Sequence, residues 1–333
     1  MKTTLGVGVI GLGEFGEKHL QAYRSLSGVQ IVSVCSRSRE RAEDVAHKFE
    51  AKRWTTDLRQ LIADPEIDAV SVTTSEDRHL EPVLSAIEAG KHVFIEKPIT
   101  TDLSDAQQMV EACSHADVTV MPGHIMRFAP RYVLVRDEIK RGALGKVTSM
   151  YARRNVARRP NIPMAGRAHP VFRTGVHDID VALWYMDSPV NQVYCLDRNV
   201  QGREQPDMFW ALLEFANGAI MCLESNWTVP RGAGIRSETV MEVIGTEGAA
   251  KIGPPTAGLT LMYEQDQFSP NTRWWPMIHG NMGGALRDEI QYFVECVLEG
   301  VKPSVVTMGE ALETVRVAAA IVQSARSGKV VRL

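Results

Sequence analysis

A short apolar run, Val7 to Ile10, leads directly into Gly11-Leu12-Gly13-Glu14-Phe15-Gly16 and then into a helical pattern from Glu14 to Leu26. No other feature limits the fold as tightly. In a strand–turn–helix setting, Gly11 makes the tight turn, Gly13 lets the backbone approach a pyrophosphate, and Gly16 lets helix and strand pack closely. The helix N-terminus adds backbone N–H groups and partial positive charge. Gly11, Gly13, Glu14, Phe15 and Gly16 are therefore candidate dinucleotide-binding residues. The alternative is a glycine-rich turn with no ligand.

The chain after this turn keeps alternating. Apolar strands are expected at Gln30–Cys35, Ala69–Thr73, Val93–Ile95 and Val118–Met121, with helices at Arg39–Phe49 and Asp77–Ala89. Continuous apolar strands alternating with helices indicate a parallel sheet covered on both faces. Beyond residue 123 the pattern changes. A helix at Pro130–Arg141, a strand at Val147–Arg153 and a helix at Val176–Tyr185 precede a series of strands. These fall at Val190–Asn199, Met208–Phe215, Ala219–Glu224, Thr239–Ile244, Ala249–Ile252 and Leu259–Met262, and two helices end the chain. Asn217-Gly218 signals a tight hairpin. The expected architecture is an α/β Rossmann domain, 1–123, plus an α+β domain, 124–333, with a large open, mainly antiparallel sheet. Packing of the C-terminal helices back on the first domain is left open.

Met208, Trp210 and Leu212 alternate with Phe209, Ala211, Leu213 and Phe215, so this strand is apolar on both faces. Such a sheet needs cover on each side. Either a second copy of the chain supplies it, as a homodimer or homotetramer, or terminal helices and loops do.

Length and composition narrow the class. At 333 residues, two domains are expected; 44% hydrophobic and 23% charged residues are globular values. A net charge of −3 gives no basic field for nucleic acid. No apolar stretch is long enough for a membrane span, and the N-terminus lacks a signal peptide's apolar core. Five widely spaced cysteines form no metal or disulfide pattern. A cytoplasmic protein without a metal is expected.

The end of the second strand selects between dinucleotides. NAD enzymes place an acid there for the ribose hydroxyls, whereas a nearby arginine accommodates the extra phosphate of NADP. Here Cys35-Ser36-Arg37-Ser38-Arg39 contains no acid. Ser36 and Arg37 favour NADP over NAD; NAD binding through Ser36 is the alternative.

Residues 73–98 read TTSEDRHLEPVLSAIEAGKHVFIEKP. This resembles the T-P-N-x-x-H … A-G-K-H-V-x-x-E-K-P pattern of the Gfo/Idh/MocA oxidoreductases. The ending LRDEIQYFVECVLEG, 286–300, is similar to that family too, so the resemblance spans essentially the whole chain. It implies oxidoreduction of a sugar, polyol or sugar derivative with NAD or NADP. It places Lys97 on the reacting hydroxyl beside the nicotinamide, with Glu96 orienting or neutralising it. An ordinary surface ion pair is the alternative for these two. The resemblance further puts Thr73, Thr74, His79 and Arg127 near the cofactor and His124 near the substrate. Ser75 replaces the usual Asn. For His79 a locally satisfied histidine, and for Arg127 a structural salt bridge, are the competing readings.

Residues 171–185, VFRTGVHDIDVALWY, resemble the family's second catalytic segment. His177 matches its histidine and becomes the expected general base; Asp180, one turn on, supports it. Arg173 stands where the family pattern has Asp. Arg153, Arg154, Arg158, Arg159 and Arg167 precede it, and no acid lies between Tyr151 and Arg173. Guanidinium forks recognise oxyanions. Arg154 and Arg173 are therefore candidate ligands for an anionic sugar derivative. Pairing with acids elsewhere, or solvation, is the other reading. His169, Trp184, Tyr185, Trp274, Trp275 and His279 are weaker pocket candidates.

The leading expectation is hydride transfer between a carbinol carbon and nicotinamide. A redox-elimination glycosidase and a non-catalytic dinucleotide-binding regulator are the alternatives.

Overall fold

The computed structural model describes residues 4–158, 167–230, 237–253, 259–264, 267–268 and 270–333. The chain divides into two units, Met1–Phe128 with Trp274–Leu312 and Ala129–Arg273 with Glu313–Leu333.

In the first unit, β1 (Leu5–Ile10), α1 (Glu14–Arg24), β2 (Val29–Cys35), α2 (Arg39–Phe49), β3 (Arg53–Thr55), α3 (Leu58–Ile62), β4 (Ala69–Val72), α4 (Leu80–Glu88), β5 (His92–Glu96), α5 (Leu103–Ser114) and β6 (Val120–Gly123) follow in order. The six strands are parallel, in the order β3-β2-β1-β4-β5-β6. This doubly wound order reverses between β1 and β4, and ligands of such sheets bind outside the strand ends at that reversal. Every residue of β1 and β4 is buried, which is why both read as apolar runs, broken only by Ser71.

Three elements escape the hydrophobic pattern. β3 is three residues long and α3 five, too short to show a period. α5 is a full helix capped by Asp102, whose side chain accepts the Asp105 N–H at 3.0 Å. It buries only Ala106 and Met109, so its apolar face is narrow.

The second unit contains α6 (Pro130–Lys140), β7 (Val147–Ala157), a π-helical turn at Val171–Gly175, α7 (Val176–Met186), β8 (Val190–Arg198), β9 (Met208–Phe215), β10 (Ile220–Val229), β11 (Ser237–Gly245) and β12 (Ala249–Ile252). Two small ribbons follow, β13 (Leu261–Met262) with β14 (Gln267–Phe268) and β15 (Met277–Ile278) with β16 (Asn281–Met282). The second ribbon and α8 (Ala285–Glu299) belong to the first unit; the boundary at Leu312 falls within α9 (Met308–Ser327). β17 (Val331–Arg332) completes a seven-stranded sheet in the order β12-β11-β7-β10-β9-β8-β17.

Neighbours in this sheet are antiparallel except β7 and β10. Between these two the chain passes through α7 and the β8–β9 pair, so β10 returns in the direction of β7. The Asn217-Gly218 turn joins β9 and β10, with Gly218 at φ +84°, a conformation suited to glycine.

The doubly apolar strand divides as its alternation requires. Phe209, Ala211, Leu213 and Phe215 are buried on the inner face. There Ser225 Oγ meets Thr174 Oγ1 of the π turn at 2.8 Å, and the Cys195 N–H donates to Ser324 Oγ of α9 at 2.9 Å. On the outer face Trp210, Leu212 and Ile220 are 44%, 58% and 58% exposed, joined by exposed Leu196 and Ile244. Among the described residues, the helices cover only one side of this sheet.

Candidate functional site

The carboxyl ends of the parallel strands gather the candidates of the first unit. Gly11 has φ +98°, and a Cβ there would sit 2.6 Å from the Thr74 nitrogen. A Cβ on Gly16 would sit 2.1 Å from the Gly11 carbonyl oxygen, so the helix start is pressed against the turn. A Cβ on Gly13 would meet nothing within 4 Å. Gly13 caps α1 with no side-chain hydrogen bond. Open space above an uncapped helix start, held by two tight glycines, fits a dinucleotide pyrophosphate.

Neighbouring side chains brace the loop. Thr73 Oγ1 donates to the Gly11 carbonyl at 2.6 Å, and Arg41 Nε donates to the Leu12 carbonyl at 2.9 Å while its guanidinium pairs with Glu17. Phe15 meets the Trp275 ring edge-on at 5.6 Å, with Lys18 Nζ 4.8 Å from that ring's centroid. Trp275 thus lies against the glycine loop. At the end of β2, Ser36 Oγ accepts the Ser38 N–H at 3.3 Å, Arg37 is exposed, and Arg39 lies over Trp54.

The turn after β4 carries Thr73, Thr74 and His79. Thr74 Oγ1 donates to the Arg78 carbonyl at 3.0 Å. His79 is buried among carbonyls, with Nδ1 3.1 Å from those of Pro98 and Ile99 and Nε2 3.2 Å from that of Thr74. Burial pushes its pKa down. In this position it ties the turn after β4 to the turn after β5.

The turn after β5 is Glu96-Lys97-Pro98. Glu96 is buried; its Oε1 lies 3.0 Å from His19 Nε2, and its Oε2 accepts the Lys97 backbone N–H at 3.1 Å. Burial alone would raise the Glu96 pKa. The His19 hydrogen bond and the Lys97 charge outweigh it and hold the carboxyl below its usual range. Lys97 is half-buried. After β6, His124 is buried, and Arg127 Nη1 donates to the Val305 carbonyl at 2.9 Å and pairs with Glu310 at 2.6 Å.

In the second unit, Arg173 lies in the π-helical turn with its guanidinium 5.9 Å from the Trp227 ring centroid. π turns recur at functional sites. His177 and Asp180 follow on α7, the first half-buried and the second buried. Strand alternation separates the arginines. Arg153 points to the outer face and pairs with Glu238 at 2.7 Å, while Arg154 points inward and grips Asp178 through two bonds of 2.9 and 3.0 Å. The arginine-rich run is therefore no single basic patch: acids from β11 and α7 neutralise two of its members. Arg159 lies outside the described residues.

Two sequence profiles match the chain. One, described as an oxidoreductase family with an NAD-binding Rossmann fold, covers residues 5–124; the other, the GFO/IDH/MocA C-terminal domain, covers 132–251. The 4-carboxy-2-hydroxymuconate-6-semialdehyde dehydrogenase of a Sphingobium species is 30% identical over 65% of this chain and 70% of its own. The chain belongs to the Gfo/Idh/MocA oxidoreductase family. The scyllo-inositol 2-dehydrogenase (NAD(+)) of Bacillus subtilis is 29% identical over 98% of this chain and 95% of its own. The solved myo-inositol 2-dehydrogenase of Lactobacillus plantarum superposes with a TM-score of 0.86 at 23% identity, covering 99% of each chain, and shows the shared fold.

As a Gfo/Idh/MocA oxidoreductase, the chain carries its glycine loop and its Glu-Lys-Pro turn on the first unit. Sequence reasoning missed His19, Arg41, Asp178 and the packing of Trp275. The first three are polar residues on amphipathic helices, where solvent-facing and buried positions look alike in sequence. Among the described residues, no group of acids, histidines and cysteines could hold a metal, and no helix is long and apolar enough to cross a membrane.

Proposed function

We propose that this oxidoreductase interconverts a CH–OH group and a carbonyl on an anionic sugar or polyol derivative, with NADP favoured over NAD. The reading is carried by the Glu96-Lys97 turn at the carboxyl end of β5, on the same sheet as the nucleotide loop. Bound nicotinamide supplies the hydride acceptor or donor. Lys97 holds the reacting oxygen and stabilises the charge it develops. His177 takes the hydroxyl proton on an imidazole nitrogen, with Asp180 supporting it from one turn along α7. Gly13 and the start of α1 bind the pyrophosphate, with Thr73 bracing the loop.

Two observations support the finer choices. Residues 36–39 contain no carboxylate to bind ribose hydroxyls or repel a phosphate, and Arg37 is exposed there. The Sphingobium relative is named for a substrate bearing a carboxyl group. Of the two candidate anion ligands, Arg154 grips Asp178, and Arg173 lies in the π-helical turn that leads into the helix carrying His177; we take Arg173 as the anion ligand.

The test is reduced-nicotinamide absorbance with NAD or NADP and paired neutral and anionic sugars, such as glucose with glucose phosphate and glucuronate. Turnover is expected on the anionic members, with higher kcat/KM for NADP. Arg173→Ala should raise KM for those members about 10–100-fold, the loss of one charge-assisted contact, and leave neutral sugars unchanged. An equal effect on both classes would exclude the anion role.

We also infer that the outer face of the second sheet seats a second copy of the chain, as a homodimer or within a homotetramer. Several polar groups on that face pair within the sheet: Tyr151 and Asn155 donate to Glu224 at 2.5 and 2.8 Å, and Arg153 pairs with Glu238. What remains for contact is Trp210, Leu212, Leu196, Ile220 and Ile244. A self-complementary patch suits a two-fold interface. Light scattering should give at least a dimer mass, and Trp210→Glu combined with Leu212→Glu should give the monomer. A monomeric wild-type protein would overturn the assignment.

A further inference from the structure

We propose that His19 is a positioning residue for Lys97, acting through Glu96; this rests on the reading of Lys97 as the group that holds the reacting oxygen. His19 lies on α1 and is completely buried. Its Nε2 is 3.0 Å from Glu96 Oε1. An ionised carboxylate only accepts hydrogen bonds, so Nε2 carries the proton and donates it. The second oxygen of the same carboxylate accepts the Lys97 backbone N–H at 3.1 Å. One carboxylate thus joins the imidazole to the backbone of the lysine.

The other side of the ring is fixed as well. Nδ1 lies 3.1 Å from Ser71 Oγ on β4, and Ser71 Oγ lies 2.7 Å from the Tyr23 hydroxyl, one turn along α1. The His19 ring stands edge-on to Phe94 at 5.1 Å, and Phe94 stands edge-on to Phe293 of α8 at 5.6 Å. Both nitrogens are bound and the ring plane is packed, so the imidazole has one orientation. The chain Tyr23–Ser71–His19–Glu96 runs through the interior of the first unit and ends at Lys97.

The consequence follows from burial. Removing the donor on Nε2 leaves a buried carboxylate without its partner, a costly arrangement. Glu96 then rotates or takes up a proton. Rotation breaks the bond to the Lys97 backbone N–H, and protonation weakens that bond and removes the carboxylate charge beside the lysine. Misplacing a catalytic group by about 1 Å costs roughly 10²-fold in rate.

Two substitutions separate positioning from packing. In His19→Gln the side-chain amide N–H stands near the place of Nε2–H; in His19→Asn it stands near Nδ1, and the bond to Glu96 is lost. Both variants are compared with wild type for melting temperature, affinity for the reduced dinucleotide by cofactor fluorescence (NADPH if the panel gives it the higher kcat/KM, otherwise NADH; written NADH below for either), and kcat and KM on the best sugar of the panel. His19→Asn is expected to lower kcat about 100-fold with NADH affinity and KM within about twofold, and His19→Gln to restore most of the loss. Nitrogen NMR of histidine-labelled wild type supplies a readout that needs no substrate: a proton on His19 Nε2 protected from exchange. Unimpaired kcat in His19→Asn, parallel loss of kcat and NADH affinity in both variants, or an unprotonated Nε2 would each overturn the proposal. Undiminished kcat in Lys97→Ala would instead remove the reading of Lys97, leaving the His19–Glu96 pair visible by NMR.

Discussion

Lys97→Ala should lower kcat by about 10³-fold, the upper range for removing one group that stabilises a developing oxyanion. NADH affinity should change little. The contact between this turn and Glu96 runs through the Lys97 backbone N–H, which alanine keeps. The glycine loop is braced by the Thr73 hydroxyl and by Arg41. Pre-steady-state measurement of hydride transfer, paired with cofactor fluorescence titration, checks both halves. Undiminished kcat would remove Lys97 from the chemistry. A parallel loss of NADH affinity would make it a cofactor-binding residue instead.

Gly16→Ala should weaken dinucleotide binding by about 100-fold, because overpacking a close contact costs about 1–3 kcal/mol. The added methyl would lie 2.1 Å from the Gly11 carbonyl oxygen and 3.1 Å from Thr73 Oγ1. The first contact is with backbone and cannot be relieved by turning a side chain. The helix start must move away from the turn, and the geometry offered to the pyrophosphate moves with it. Gly13→Ala is the control. Its methyl meets no protein atom within 4 Å, so it tests approach of the ligand without moving the loop. Titration of both variants with NADH decides the matter; unchanged affinity in Gly16→Ala would show that the pyrophosphate does not sit on this loop.

Much of the fold was legible because burial imposes period. β1 and β4 are buried throughout, and β9 alternates between a closed and an open face; both patterns are written directly in residue type. The glycine loop was legible for a related reason, since a positive φ at Gly11 and a 2.1 Å approach at Gly16 admit no side chain. What stayed hidden depends on pairing across long separations. Sequence shows Arg153 and Arg154 as neighbours in a basic run, but the strand sends them to opposite faces, one to Glu238 and one to Asp178. Likewise His19 and Glu96 are 77 residues apart, and neither shows locally that it bonds to the other. The position of Arg127 after β6 suits a cofactor contact or a structural one alike in sequence; it bonds to Val305 and Glu310, almost two hundred residues on.

The first unit is built from two stretches of chain with residues 129–273 between them. During synthesis, β5 with Phe94 and α1 with His19 leave the ribosome long before Phe293 of α8, which packs against Phe94. At about 5–20 residues per second, the interval is on the order of ten seconds or more. Throughout it the nascent nucleotide-binding sheet displays an apolar flank that its own sequence has yet to cover. The first unit therefore stays incomplete until α8 emerges, and a late stretch of chain finishes the part of the molecule that began first.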